Sequence, residues 1–306
     1  DKANIREELY VKPYIPKSVV PQTAFPVYRE SSQKMYLPRF YGTHRYGAPD
    51  KVEISEGDNI SIDFKGNLRD YQINIVNKFT GYIKDNNNMG GGLLEVDTGL
   101  GKTIMALNII GALKKKTLIV VHKEFLMEQW IERIEEFLPD ARVGKIQGKT
   151  MDIEGKDICI AMLQSLSMKD YDLTQFASFG FTIIDEVHHM GAEVFSQALL
   201  KVVTYYVLGL SATMERKDGL TKVFKMFIGD IIHTEKRDTS KTHVLIKALD
   251  FEIDDEEFNE VKYDYRGNPL YSTMITKLCK YNRRSEFMLK VIDSMIKENS
   301  NQQMLV

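Results

Sequence analysis

Residues 93–103 have the residue types and order of a site that binds phosphate groups. They read Leu-Leu-Glu-Val-Asp-Thr-Gly-Leu-Gly-Lys-Thr, a short apolar strand followed by a glycine turn and then by a helix. Gly99 and Gly101 let backbone N–H groups face inward with no Cβ in the way, and the first turn of the helix attracts an anion. Lys102 is placed to reach the β- and γ-phosphates of a nucleotide, and the Thr103 hydroxyl is placed to ligate Mg²⁺.

This segment departs from the full phosphate-loop pattern at one position. The pattern G-x-x-x-x-G-K-[ST] requires glycine at position 96, where this chain has Val96. The alternative is an ordinary Gly-Leu-Gly turn followed by a solvated lysine. The strand before the turn and the helix after it favour the phosphate site, because that context is what distinguishes the two.

A pair of acidic residues follows another apolar strand. Residues 181–184 read Phe-Thr-Ile-Ile, and Asp185 and Glu186 come next. Because ligands of open α/β sheets bind at the carboxyl ends of the strands, we expect this pair to lie at the same sheet edge as Lys102. Asp185 would hold Mg²⁺ directly or through water, and Glu186 would orient and deprotonate an attacking water. Phosphoryl transfer needs both, since its catalysis is mostly positioning and charge stabilisation.

Two histidines follow the acidic pair, at positions 188 and 189. Adjacent histidines could ligate zinc, but a structural zinc site takes four ligands. No second ligand cluster lies nearby in the sequence. A hydrogen-bonding or packing role for His188 and His189 is therefore favoured over a zinc site.

The segments around these residues alternate between strand and helix patterns. Apolar runs predict buried strands, and amphipathic stretches predict helices. Strands that alternate with helices indicate βαβ units and a mostly parallel sheet covered on both faces, an α/β fold. The predicted strands cover residues 93–96, 117–121, 157–162, 181–184 and 205–209, and the predicted helices cover residues 69–83, 102–113 and 124–138.

The two ends of the chain differ from this α/β region, which we place at residues 61–235. Residues 1–60 hold six of the eight prolines; proline opposes helix interiors, so we expect a small β-rich module, either independent or laid over the next domain. Residues 236–306 are interpreted as a linker and the beginning of a second domain. The pattern there predicts an acidic linker or hairpin edge at 250–260, two helical pieces over 270–297 and the start of a buried strand at 303–306.

Composition narrows the classes of protein that fit. A chain of 306 residues corresponds to roughly two domains, and 43% hydrophobic with 27% charged residues is typical of globular proteins. The longest apolar runs, such as residues 117–121, are far shorter than the roughly 18 residues of a membrane span. Cys159 and Cys279 cannot form a disulfide framework, which favours a reducing, intracellular compartment. With a net charge of −2, any contact with nucleic acid must use a local surface.

Together with residues 211–213 (Ser-Ala-Thr) at a third strand end, these segments resemble the first RecA-like motor domain of a superfamily 2 helicase. The resemblance covers residues 68–213. Within the superfamily, residues 208–220 are similar to the branch of transcription and repair helicase subunits and restriction motors, and residues 185–189 and 268–271 are similar to late-transcription helicases of large cytoplasmic DNA viruses. The matching segments are motif I at 98–103, motif II at 185–188, motif III at 211–213, the adenine-reading segment at 68–72, motif Ia at 121–130 and the next strand motif at 163–166.

The resemblance implies a RecA-like fold with a second RecA-like domain after it, and a role for each matching residue. Adenine recognition falls to Arg69 and Gln72. Nucleotide binding falls to Thr98, Gly99, Leu100, Gly101, Lys102 and Thr103. Catalysis falls to Lys102, Asp185, Glu186 and His188, and Mg²⁺ binding to Thr103 and Asp185. The residues implied to couple the nucleotide state to the nucleic-acid groove are His188, Ser211, Ala212 and Thr213. The residues implied to contact the nucleic-acid backbone are Lys123, Gln164 and Ser165.

The implied function is an ATP- and Mg²⁺-dependent motor on nucleic acid. Residues 185–188 read Asp-Glu-Val-His and not Asp-Glu-Ala-Asp, which favours DNA over RNA. The alternatives are an RNA-directed ATPase and a nucleotide-gated scaffold that binds without processing; Glu186 argues against the scaffold, which has no need of a base. Transcription or repair machinery is the partner that the resemblance implies. A cytoplasmic viral factory, a virion or the nucleus is the location that fits it.

One departure from the family concerns arginines. These motors complete the ATP site with arginines of the second domain in a Gln-x-x-Gly-Arg-x-Gly-Arg type motif, and the 306 residues contain no such run; Arg283 and Arg284 do not match it. We therefore expect ATP binding with slow hydrolysis. For residues 36–45, rich in aromatic and basic residues, a DNA or partner contact is the hypothesis, and packing against the motor domain is the favoured alternative.

Overall fold

The computed structural model describes residues 2–14, 22–85, 90–238 and 248–298. The chain forms two compact units, Asp1–Asp238 and Thr239–Val306. No described helix combines the length and the apolar character that a membrane span requires. The first unit holds the phosphate loop and the acidic pair, so it is the unit that positions the site.

The N-terminal segment combines short strands with two helices. Strands β1 and β2 pair antiparallel, as do β3 and β4. These strands confirm the small β-rich module that the sequence predicted, and two helices accompany them. The described prolines lie outside the helix interiors, with Pro38 at the N-cap of the second helix. In chain order, the elements are α1 (Lys2–Glu8), β1 (Tyr10–Val11), β2 (Phe25–Pro26), β3 (Arg29–Glu30), β4 (Met35–Tyr36) and α2 (Arg39–Tyr46).

This N-terminal segment packs against the α/β core through helix α2. Phe40 packs on the core beside Gly91 and Gly229, where a Cβ on Gly91 would lie 2.5 Å from the Phe40 ring. Arg39 donates to the backbone carbonyl of Tyr205 at 2.9 Å. Phe40 therefore packs against the motor domain, as the favoured alternative predicted. Tyr36 is half exposed, and a contact of Tyr36 with DNA or a partner stays a hypothesis.

An eight-stranded sheet forms the core of the first unit. Its strand order is β12-β5-β11-β10-β6-β9-β7-β8, and every neighbouring pair is parallel except the antiparallel β7–β8. The predicted α/β fold with a mostly parallel sheet is confirmed. The strands are β5 (Gly91–Val96), β6 (Thr117–Val121), β7 (Val143–Gln147), β8 (Thr150–Met151), β9 (Ile158–Met162), β10 (Phe181–Ile184), β11 (Tyr206–Ser211) and β12 (Ile231–Glu235).

The five predicted strands are the central ones, and the three that sequence analysis missed lie towards the sheet edges. Central strands are buried on both faces and read as continuous apolar runs. Strand β7 alternates half-buried with buried residues, and β12 is at most half-buried throughout and contains His233. Their weak apolar signal explains why the sequence pattern did not predict them.

Helices cover both faces of the sheet. Helices α3, α4 and α5 pack around a core that includes Phe79, Met105 and Trp130. Helices α6, α7 and α8 pack around a second core that includes Phe195 and Phe224 and is shared with the N-terminal segment. The helices are α3 (Asp70–Asp85), α4 (Lys102–Leu113), α5 (Glu124–Phe137), α6 (Leu163–Met168), α7 (Ala192–Leu199) and α8 (Thr221–Ile228).

The described part of the second unit, residues 248–298, contains α9 (Glu256–Asn259), α10 (Tyr271–Lys280) and α11 (Asn282–Glu298). The two helical pieces expected over residues 270–297 are present. The acidic stretch, expected as a linker or hairpin edge, contains the short helix α9: the Asp255 carboxylate accepts the Phe258 N–H at 3.0 Å, and acidic residues stabilise a helix N-terminus. The strand expected at residues 303–306 lies outside the described residues.

We predict that Phe40→Ala lowers the free energy of unfolding by about 1–3 kcal/mol, less than for a fully buried phenylalanine because Phe40 is only half-buried. The change removes the ring that packs over Gly91. Urea denaturation measures it, and Tyr46→Ala, at a ring that is 58% exposed, is the matched control. Equal stability of the two variants would contradict the packing described for α2.

Candidate active site

The phosphate loop joins the end of β5 to the start of α4. Gly99 and Gly101 have φ of +83° and +85°, in the left-handed region that favours glycine. A Cβ on Gly101 would also lie 2.4 Å from Nε2 of Gln72. Val96, which stands where the full pattern has glycine, is the last residue of β5 and is fully buried. Its side chain serves the core, so the departure from the pattern leaves the glycine turn intact.

Lys102 and the acidic pair lie together at one edge of the sheet. The Lys102 side chain is 8% exposed. Its Nζ donates to the Val96 carbonyl at 3.2 Å and lies 3.4 Å from Oε1 of Glu186. Strand β11 separates β5 from β10 in the sheet, so the carboxyl ends of three neighbouring parallel strands meet here. The structure thus brings Lys102 and Glu186 into contact across 84 residues of sequence.

Asp185 is a buried carboxylate with two donors. Its Oδ2 accepts from Nε1 of Trp130 at 2.8 Å, and its Oδ1 accepts from the backbone N–H of Glu186 at 3.0 Å. Burial raises the pKa of Asp185 to about 6, against the opposing effect of the Trp130 hydrogen bond. A bound cation would favour the charged carboxylate and lower that pKa.

The residues present fit Mg²⁺ better than a metal held by protein ligands alone. In the described ranges, no group of three or more His, Cys, Asp or Glu side chains could hold a metal ion. Mg²⁺ does not need such a group, because it binds through one or two carboxylates, waters and substrate phosphates. Asp185, at the end of β10, and Thr103, in the first turn of α4, supply hard oxygen atoms of that kind.

Glu186 adopts an unusual backbone conformation. Its φ and ψ are 50° and 51°, the left-handed region that residues other than glycine seldom occupy. Its carboxylate lies between Lys102 and His188, with Oε2 3.3 Å from Nδ1 of His188. Oε2 is buried and, in the part of the chain that the structure describes, has no partner with hydrogen-bond geometry. This oxygen is therefore a buried acceptor without a donor among the described residues.

His188 connects the acidic pair to the end of β11. Its Nδ1 lies 2.9 Å from Oγ of Ser211, and that hydroxyl donates to the Thr213 carbonyl. Because the serine proton is used in this bond, we assign Nδ1–H as the donor to Ser211. Burial, followed by the neighbouring His189, lowers the pKa of His188, which favours the neutral ring. Ala212 accepts at its carbonyl from Lys236 at 3.3 Å.

The two predicted adenine residues lie beside the phosphate loop. Gln72 is buried; its Nε2 donates to the Leu100 carbonyl at 3.0 Å and its Oε1 accepts from the Arg69 N–H at 2.9 Å. Tyr71 also donates to the Leu100 carbonyl, at 3.0 Å. The alternative of an exposed helix residue does not describe Gln72. Its adenine role stays a prediction.

The three predicted nucleic-acid residues follow the ends of the neighbouring strands β6 and β9. Lys123 is exposed at the N-cap of α5. Gln164 is exposed and donates to the His122 carbonyl at 3.1 Å. Ser165 is half-buried, and its hydroxyl accepts from the Gly148 N–H at 2.9 Å. Their contact with nucleic acid stays a prediction.

Two residues of the site were missed by sequence analysis. The sequence pattern places Trp130 in an amphipathic helix and at the end of motif Ia, without a role at the acidic pair. A buried tryptophan N–H needs an acceptor, and here the acceptor is Asp185. Arg216 donates to the backbone carbonyls of His188 at 2.6 Å and Met190 at 3.0 Å. Arg216 lies in the loop after β11, and its two bonds fix the loop after β10. The sequence gives no local signal for this contact.

Comparisons with known proteins identify the family of this chain. A family model described as "Type III restriction enzyme, res subunit" matches residues 65–216. The chain is 35% identical over 306 residues to "Putative ATP-dependent RNA helicase L396" of Acanthamoeba polyphaga mimivirus, covering 97% of this chain and 58% of that protein. It is 32% identical over 228 residues to "Putative helicase 109L" of Invertebrate iridescent virus 3, covering 71% of this chain and 68% of that protein.

Two further similarities extend the comparison. The chain is 32% identical over 200 residues to "DNA 3'-5' translocase XPB2" of Sulfurisphaera tokodaii, covering 64% of this chain and 43% of that protein. The solved structure of the UvsW helicase from bacteriophage T4 matches with a TM-score of 0.51 and 14% identity, over 75% of this chain and 91% of that one, which supports the fold. The chain spans only part of the length of such relatives: 58% of the mimivirus protein and 51% of "Putative helicase 161L" of Invertebrate iridescent virus 6.

We predict that the free energy of unfolding of Asp185→Asn rises relative to that of the wild type by up to about 3 kcal/mol between pH 4 and pH 7.5. With the pKa raised to about 6, the folded wild type keeps a proton that the unfolded chain loses above about pH 4, so its stability falls as pH rises through that window. Asparagine stays neutral, and the gain should shrink towards pH 4. Urea denaturation at several pH values measures it.

Asp157→Asn is the matched control, with the opposite sign. The hydrogen bond from Arg142 lowers the pKa of Asp157, so that carboxylate stabilises the fold above its unfolded pKa and the stabilisation is lost as pH falls through the folded pKa. This variant should lose stability at pH 7.5. If the relative stability of Asp185→Asn did not rise between pH 4 and pH 7.5, burial would not disfavour the Asp185 charge.

Proposed function

We propose, from the premise that this chain belongs to the superfamily 2 helicases, that it is an ATP-dependent motor that couples ATP hydrolysis to movement on DNA. The observation that carries the proposal is the meeting of Lys102, Glu186 and His188 beneath the glycine loop. The arrangement supports the proposal because phosphoryl transfer to water needs a cation, a carboxylate for the metal ion and a base close together, and Asp185 directly precedes Glu186.

Each residue of the edge has a task in this proposal. The loop N–H groups and Lys102 bind the phosphates, and Thr103 and Asp185 hold Mg²⁺, which neutralises charge on the phosphates. Glu186 takes the proton of the attacking water at Oε2, the oxygen that has no hydrogen-bond partner among the described residues. Nζ of Lys102 lies 3.4 Å from the other carboxylate oxygen, Oε1.

The link from nucleotide to nucleic acid runs through His188 in this proposal. The ring contacts both the Glu186 carboxylate and the Ser211 hydroxyl, and Ser211 continues to Thr213. A movement of Glu186 when the phosphate leaves would therefore reach the end of β11. On the other side of β10, Lys123 and Gln164 follow β6 and β9 at the same edge and supply the contact with the strand backbone.

DNA is the substrate we favour, and RNA is the alternative. Motif II of this chain reads Asp-Glu-Val-His, which favours DNA. The relatives carry both names: the mimivirus protein is named an RNA helicase and the Sulfurisphaera protein a DNA translocase. A nucleotide-gated scaffold is the third candidate, and Glu186 argues against it, because a scaffold has no need of a base. We also propose transcription or repair machinery as the partner.

We predict that single- or double-stranded DNA stimulates ATP hydrolysis by the full-length protein that contains this chain, and that RNA stimulates it less. Phosphate release is measured with no polymer, single-stranded DNA, duplex DNA and RNA. Glu186→Gln should lower the rate by about 10²–10⁴-fold, because it removes the general base. Stimulation by RNA alone would overturn the choice of substrate, and no stimulation by any polymer would favour the scaffold.

We predict that residues 1–306 alone bind ATP, hydrolyse it slowly and do not unwind duplexes. A transition-state arginine contributes about 10³–10⁵ in rate, and this sequence has no Gln-x-x-Gly-Arg-x-Gly-Arg run. Fluorescent-nucleotide binding, phosphate release and strand separation of a labelled duplex are measured on the same sample, beside the full-length protein. Robust unwinding by residues 1–306 would refute the prediction.

A further inference from the structure

The segment that follows strand β12 is tied to the phosphate loop. The backbone N–H of Arg237 donates to Oδ2 of Asp97 at 2.8 Å, and this bond is the largest cause of the lowered pKa of Asp97. Nζ of Lys236 lies 2.9 Å from Oε1 of Glu95 and 3.5 Å from Oδ1 of Asp97. Backbone and side-chain bonds thus fix these two residues beside the first residue of the loop.

The Arg237 side chain extends over the loop itself. A Cβ on Gly99 would lie 2.8 Å from Nη2 of Arg237, so the guanidinium occupies the space that this glycine leaves open. The two neighbouring cations differ in their partners: Lys236 is paired with Glu95 and Asp97, whereas no carboxylate within the described ranges pairs with the Arg237 guanidinium. An arginine without a counter-ion therefore adjoins a loop built to bind an anion.

We propose that Arg237 is a nucleotide-contacting residue whose guanidinium binds the phosphates held by the loop. The proposal rests on the proposed function, because it takes the loop as the ATP site. A guanidinium offers a planar fork of donors that matches phosphate oxygens, and such charge-assisted pairs are the strong hydrogen bonds of proteins. The contact supplies the counter-charge that the described residues do not give Arg237.

The position of Arg237 gives this contact a consequence along the chain. It lies two residues before Thr239, where the second compact unit begins. A nucleotide that binds Arg237 fixes the end of the first unit, and its departure leaves residues 236 and 237 held by the bonds to Asp97, Glu95 and the Ala212 carbonyl. The segment between the units thus responds to the phosphates directly, in addition to the route through His188.

The test compares Arg237→Ala with Arg237→Lys in the 306-residue chain. ATP affinity is measured in Mg²⁺ by displacement of a fluorescent nucleotide. Arg237→Ala should weaken ATP binding about tenfold or more, since hydrogen bonds between charged groups are lost. Arg237→Lys should recover only part, because an ammonium lacks the planar fork. Thermal unfolding without nucleotide should stay unchanged, since the side chain is exposed and the backbone bond to Asp97 remains.

Two controls separate the outcomes. Lys222→Ala removes one exposed positive charge of α8 and should change ATP affinity less than about twofold. Lys102→Ala should abolish binding. Unchanged affinity in Arg237→Ala, full recovery by lysine, or an equal loss in Lys222→Ala would overturn the contact. Absence of ATP binding by the wild type would instead refute the proposed function, so the two failures are distinguishable.

Discussion

The structure of the site depends on how three buried or half-buried charges share one sheet edge. Lys102 is the cation, and Asp185 and Glu186 are the carboxylates; the Lys102–Glu186 pair is 3.4 Å apart. Charges removed from water need partners, and one lysine cannot satisfy two carboxylates. Burial therefore raises the pKa of Asp185, while Trp130 and a backbone N–H stabilise its charged form. A divalent cation bound at Asp185 would offset this excess of negative charge, as the proposed function requires.

The topology of the sheet brings these charged side chains to the same edge. Strands β5, β11 and β10 are neighbours and parallel, so each delivers the residue after its carboxyl end to the same edge. The middle strand, β11, delivers Ser211, which contacts His188. Arg216, in the loop after β11, holds the backbone at His188 and Met190. The loop that carries the acidic pair is thus held at the end of β10 and also by residues at and after the end of β11.

Sequence reasoning predicted the parts of this arrangement that local patterns encode. The central strands are buried on both faces and leave continuous apolar runs, and the glycine turn at Gly99 and Gly101 requires a positive φ. Weakly apolar strands such as β7 and β12 leave no comparable signal. The contacts of Trp130 with Asp185 and of Arg237 with Asp97 span 55 and 140 residues. Such pairs arise only when the fold brings distant segments together, so one sequence does not reveal them.

The left-handed backbone at Glu186 has a consequence for the loop as a whole. The left-handed region costs a residue with a β-carbon about 1–2 kcal/mol. That cost lowers the population of the conformation relative to an unstrained one by a factor of roughly 5–30. The free-energy difference between the observed conformation of residues 186–189 and a relaxed one is smaller by that amount than it would be for an unstrained turn. The bonds from Arg216 and Ser211 offset that difference. Those few bonds therefore hold the loop in its observed conformation against the backbone strain at Glu186.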